Sequence, residues 1–133
     1  GCKYDLIGKV IKVDAKDFVE GNITFSQKFQ LLIDGGIKPA FAIYEAELPK
    51  DGKYELWIFY AARDIRPVDI YFDNKLLVAQ GMKETTIGWG YGSAEWFKQA
   101  EIKATKGTHK IKFIAHNNVF PHMGAFKLVC KSK

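Results

Sequence analysis

The chain has 133 residues, room for one domain, expected over residues 1–133 with a core over roughly 7–130. Its 47% apolar and 26% charged content excludes a disordered chain, and no apolar run approaches the roughly 18 residues of a membrane-spanning helix. The net charge of +5 rests on 18 lysines spread along the chain and only two arginines, Arg63 and Arg66. Base readout prefers arginine, so nucleic acid is not an expected partner, whereas an anionic glycan suits a solvated lysine surface.

In chain order, the short β-branched run at 10–15 reads as a strand, followed by runs at 22–29 and 29–33 that end at the Asp34-Gly35-Gly36 turn. Residues 40–48 alternate, with Phe41 and Ile43 on one face and Tyr44, Ala46 and Leu48 on the other. Pro49-Lys50-Asp51-Gly52 is a turn, because Pro presets φ and Gly accepts a positive one. The run 54–61 is apolar on both faces, which predicts a central strand. Runs at 68–72 and 75–78 flank Asp73-Asn74, a hairpin signal. A second hairpin joins 96–102 to 107–116, with His109, Ile111, Phe113 and Ala115 on one face, and 126–130 closes the chain.

No sustained 3.6-residue stripe occurs. The expected fold is therefore all-β, about eight or nine strands in two antiparallel sheets. The likeness of residues 46–59 to 100–113 reflects two equivalent hairpins rather than a solenoid repeat.

Cys2 and Cys130 stand almost at the ends. If the first and last strands are neighbours, they form a candidate disulfide whose long loop is worth about 4–5 kcal/mol in the chain-entropy model. A second reading takes Gly1-Cys2 as the remnant of a lipoprotein signal, leaving Cys130 a buried thiol; a third takes Gly1 as a cloning remnant. The first two imply export, to a secreted, periplasmic or cell-surface location.

Catalytic signatures are missing: there is no G-x-S-x-G, phosphate-binding loop, G-x-G-x-x-G or H-E-x-x-H. His116 and His122 lack the further partners a metal site needs, and are read as loop histidines. The chain is expected not to be an enzyme. The informative segment is 85–97, TTIGWGYGSAEWF, where Gly88, Gly90 and Gly92 surround Trp89 and Tyr91 ahead of Trp96 and Phe97. Glycines let a loop hold flat rings outward, and flat rings suit the apolar face of a sugar. Amide side chains suit its hydroxyls, and Asn117 and Asn118 follow the strand at 107–116. Trp96, at the start of a strand, can instead point into the core.

Four features together resemble carbohydrate-binding modules of families 6 and 35: Gly52, Tyr54 and Leu56; the alternating residues 68–74; Gly88-Trp89 followed by Trp96; and Lys106-Gly107-Thr108-His109. The resemblance spans residues 7–129 and implies a galactose-binding-like β-sandwich jelly roll with a glycan site among the loops at one end. It implies Trp89, Tyr91 and Trp96 as platforms, Asn117 or Asn118 as the polar anchor, and Tyr60 and Arg63 as the opposite wall. It also implies a structural calcium, but Asp14-Ala15-Lys16 and Gly124 stand where the family carries ligands, so no calcium or other cofactor is expected. The function implied is a non-catalytic, monomeric module linked to other domains and binding a polysaccharide or oligosaccharide. The alternative is a structural or protein-interaction jelly roll that binds no sugar.

Overall fold

The computed structural model describes residues 9–131; Cys2 lies outside the described residues. Among the described residues eleven strands run in the order β1 (Val10–Asp14), β2 (Glu20–Gly21), β3 (Thr24–Ser26), β4 (Leu31–Ile33), β5 (Ala40–Leu48), β6 (Gly52–Ala61), β7 (Val68–Phe72), β8 (Lys75–Gly81), β9 (Glu95–Ala104), β10 (Gly107–Ala115) and β11 (His122–Cys130). Two short 3-10 turns, Ala15–Asp17 and Tyr91–Ser93, are the only helical turns among the described residues.

The strands form a two-layer jelly roll. One sheet has the order β3-β4-β11-β6-β9, with β1 also paired to β11; the other has β2-β5-β10-β7-β8. Every pairing is antiparallel. First and last strands are neighbours, as the disulfide reading required, and Cys130 is buried and disulfide-bonded.

Period-two alternation builds the core. On β5 the inward set is Ala40, Ala42, Tyr44, Ala46 and Leu48; on β6 it is Tyr54, Leu56, Ile58 and Tyr60. Each large side chain fully removed from water contributes about 1.5–3 kcal/mol. At the centre Tyr44, Phe113 and Phe126 meet with ring centroids 5.2–5.7 Å apart. The Tyr44 hydroxyl donates to Ala15 O at 2.8 Å, so this buried phenol keeps a partner, and burial raises its pKa. At the β7–β8 hairpin, Asp73 (φ 49°) and Asn74 (φ 68°) both take the left-handed conformation of a type I′ turn, as their residue types predict.

Several expectations need correction. Among the described residues there are eleven strands: Glu20–Gly21 pairs briefly with β5 as an extra strand, and the run 22–29 shortens to Thr24–Ser26 and a turn. His122 is no loop residue. It opens β11 and is buried, since Pro121 ends the preceding loop while Gly124 lets the strand pass close to its neighbours. A Cβ at Gly124 would lie 2.7 Å from Phe59 and 3.0 Å from Leu31. The pattern reading began this strand at Phe126 and missed its first four residues.

Candidate functional site

The segment between β8 and β9, residues 82–94, crosses the upper end of the sandwich. Thr86 Oγ1 accepts from Ala62 N at 3.0 Å and donates to Gly88 O at 2.8 Å, while Tyr91 N donates to Phe29 O at 2.9 Å. These bonds tie the segment to the end of β6 and to the β3–β4 turn, both of the six-stranded sheet, and set where its two rings fall.

The two rings fall differently. Trp89 is half-buried, with the Arg66 guanidinium 3.9 Å from its ring centroid and the His122 ring 4.8 Å away. Arg66 is pinned by Nε to Asp64 Oδ1 (3.0 Å) and by Nη1 to Phe120 O (3.3 Å). His122 Nδ1–H donates to Trp89 O at 2.8 Å, and its ring meets Phe29 at a tilt of 47° with centroids 4.6 Å apart. Burial foremost, with the Arg66 cation adding to it, holds the His122 pKa below its ordinary value despite the Trp89 carbonyl. Trp89 is therefore clamped between a fixed cation and a neutral histidine.

Tyr91 is 57% exposed and packs edge-on against Phe59 at 5.3 Å. Phe59 in turn lies 5.2 Å from Trp96, its register partner on β9. Trp96 thus faces outward from the six-stranded sheet and not into the core. The Lys127 ammonium stands 4.2 Å from the Trp96 centroid and 5.6 Å from Trp57. The result is a row of rings, Tyr91–Phe59–Trp96, along the outer face of the sheet. Sequence reasoning missed Phe59 and Trp57. Their signal was present in the both-faced apolar pattern of β6: once Leu56, Ile58 and Tyr60 fill the inner face, Trp57 and Phe59 have only the outer one.

At the Tyr91 end the row opens onto a cavity of about 340 Å³ lined by Asp14, Lys16, Phe25, Gln30, Tyr91 and Gly124, with Leu31 and Leu32. Three of these residues, Asp14, Lys16 and Gly124, are the positions matched to calcium ligands. They do not fit the ion. Asp14 is the sole carboxylate of the lining and accepts from Lys16 N at 2.9 Å, while the Lys16 ammonium sits 5.8 Å over Phe25. No group of three or more His, Cys, Asp or Glu suited to a metal occurs among the described residues.

The remaining expected site residues do not join this row. Tyr60 is fully buried, and this is a correction: its position on β6 shares the inward parity of Tyr54, Leu56 and Ile58. Its hydroxyl donates to Glu84 Oε1 at 2.6 Å and accepts from Glu84 N at 3.1 Å. Burial first, and the Glu84 carboxylate second, raise its pKa far above the ordinary value. Gln99 Nε2 also donates to Glu84 Oε1, so the phenol belongs to a network anchoring the start of segment 82–94. Asn118 commits its amide to Pro67 O (3.0 Å) and Val119 O (3.1 Å), stapling two loops together, and that removes it as a free polar anchor. Asn117 is exposed but lines a separate cavity of about 150 Å³ with Asp69, Gln80 and His116. Arg63 is exposed, and the arginine on the Trp89 face is Arg66.

The chain matches no protein-family model and no curated protein. Its fold is shared with solved structures of low sequence identity. A family 35 carbohydrate-binding module from Clostridium thermocellum superposes with TM-score 0.75 at 13% identity, over 90% of this chain and 97% of that one. The CBM35 from Cellvibrio japonicus Abf62 gives 0.71 at 11%, over 93% and 95%. The Podospora anserina GH26-CBM35 β-(1,4)-mannanase gives 0.73 at 12%, over 95% of this chain and 28% of that one. At such identities the likeness establishes the jelly-roll fold.

Proposed function

We propose that the protein is a non-catalytic carbohydrate-binding module that holds a polysaccharide or oligosaccharide against the Tyr91–Phe59–Trp96 row. The carrying observation is that row, open on the outer face of a sheet and leading into the 340 Å³ cavity. Flat rings bury the apolar face of a sugar with no hydrogen-bond partner needed there. The sugar's hydroxyls find Gln30 and Asp14 in the cavity and the Lys127 ammonium over Trp96. Tyr91 and Trp96 are the ligand-facing members of the expected set, with Trp89 holding the segment in place. The shared fold with modules named for carbohydrate binding supports this reading, as does the mannanase of which this chain spans 28%. Linkage to a partner domain and export belong to the same proposal.

Affinity electrophoresis against a panel of neutral and uronate-bearing polysaccharides tests it. At least one polymer is expected to retard the protein, and Tyr91→Ala and Trp96→Ala are each expected to weaken retardation about tenfold, the equivalent of 1.4 kcal/mol. Circular dichroism should stay unchanged. Absence of retardation across the panel would leave a structural jelly roll.

A further inference from the structure

A cavity of about 660 Å³ lies at the opposite end of the sandwich, between the β5–β6, β7–β8 and β9–β10 turns. Its size is within the range of sites that take small organic molecules. The floor is apolar and flat: Phe72 and Ala104 line it, and the Phe72 ring is stacked on His109 at 5.0 Å and 19°. Phe72 is half-buried, packed against the core and lining the cavity with its remaining surface.

Four basic and two acidic side chains line this space, and the acidic ones are already engaged. Asp51 Oδ1 accepts from Lys106 N at 2.7 Å. Asp73 accepts from Lys110 N at 2.9 Å through Oδ1 and from His109 Nδ1 at 2.6 Å through Oδ2, while His109 Nε2 donates to Thr105 O at 2.6 Å. By contrast Lys53, Lys75 and Lys103 are exposed and form no ion pair among the described residues. They come from β6, β8 and β9, so the rim carries three ammonium groups from three strands that outnumber the two lining carboxylates, with Glu101 acting on Lys53 through space.

We infer that this pole is a second binding site, for a small amphiphilic anion whose flat apolar body packs on Phe72 and whose carboxylate meets Lys53, Lys75 and Lys103. A sugar is the poorer occupant. Its many hydroxyls need partners, and the polar groups of the floor are taken by internal hydrogen bonds. A hydroxyl-poor carboxylate leaves none unsatisfied and gains both apolar burial and charge complementarity. The site shares no residue with the Tyr91 row and stands or falls apart from it.

The probe is 2-naphthoate, titrated into the full chain labelled with nitrogen-15. Saturable amide shifts are expected at 51–53, 72–75 and 103–109, with the Tyr91–Trp96 region silent. The neutral analogue 2-naphthylmethanol, D-glucuronate, and naphthoate with the triple variant Lys53→Gln, Lys75→Gln, Lys103→Gln should each bind at least about tenfold more weakly. The single variant Lys75→Gln at a hairpin end, together with a salt series on the parent protein, gives the same reading without relying on the triple variant's folding; both should weaken binding. Equal affinity for the neutral analogue, equal affinity for glucuronate, shifts centred on Tyr91, or no shifts at all would overturn the site.

Discussion

Two tryptophans seven residues apart, Trp89 and Trp96, meet the same kind of partner and end in different situations. Each has a cation over its ring, at 3.9 Å and 4.2 Å respectively. Arg66 over Trp89 is fixed by two hydrogen bonds and backed by His122 and Phe29. Lys127 over Trp96 has no such bonds among the described residues and rides a flexible four-carbon stem. A guanidinium held in a fork turns an indole into a structural block, whereas a mobile ammonium leaves it open to exchange for a ligand. The difference separates the indole that holds the fold from the one that can contact a sugar.

The largest expected effect breaks the clamp. Trp89→Ala should lower stability by about 3 kcal/mol, because it removes a large packed ring and strands the cation beside it; urea unfolding measures this. Tyr91→Ala, at an exposed ring, should cost under about 0.5 kcal/mol of stability. Next comes Gly124→Ala, which forces Phe59 and Leu31 aside and should cost about 1–3 kcal/mol while narrowing the cavity. Sugar binding should fall with it, and unchanged binding would separate the cavity from the row. Tyr60→Phe should cost about 1–3 kcal/mol by leaving Glu84 N and its carboxylate short of a partner, with glycan affinity unchanged. Removing the mobile cation is smaller. Lys127→Met should alter stability by less than about 0.5 kcal/mol and change salt sensitivity of retardation more than its strength at high salt.

The smallest effect concerns the Asp73–His109 pair at the far pole. Burial opposes charge on both groups, but their mutual hydrogen bond, helped by Lys110 N and Thr105 O, outweighs it. Asp73 stays below its ordinary 3.8 and His109 above its ordinary 6.5. A raised histidine contributes stability that is complete below 6.5 and lost as pH rises through the folded value. A depressed aspartate contributes stability that is complete above 3.8 and lost as pH falls through the folded value. The pair therefore supports the fold most between these two ordinary values. The difference in melting temperature between the parent and Asp73→Asn should shrink on either side of that window; taking the difference removes the opposite contribution of His122.

Much of the architecture was legible beforehand. Residues 40–48 and 68–72 were read with the observed bounds, and Asp73-Asn74 as a hairpin signal, because alternation and turn residue types are local properties. His122 escaped, since a proline and a glycine read as breakers when the partners that Gly124 accommodates are distant in sequence. The exposed ring row was legible only in part. The 85–97 segment named Tyr91 and Trp96, yet nothing local distinguishes them from Trp89, nor a wall tyrosine from the buried Tyr60.

The amino-acid order alone determined a two-layer β chain rich in outward rings, because strand period and turn chemistry act over a few residues. Only the folded chain decided which rings stay open. That depends on Arg66, Phe59, Lys127 and His122, brought to those rings by strand pairing across the sheet and by loop packing, and such neighbours leave no mark in the order of the residues around each ring.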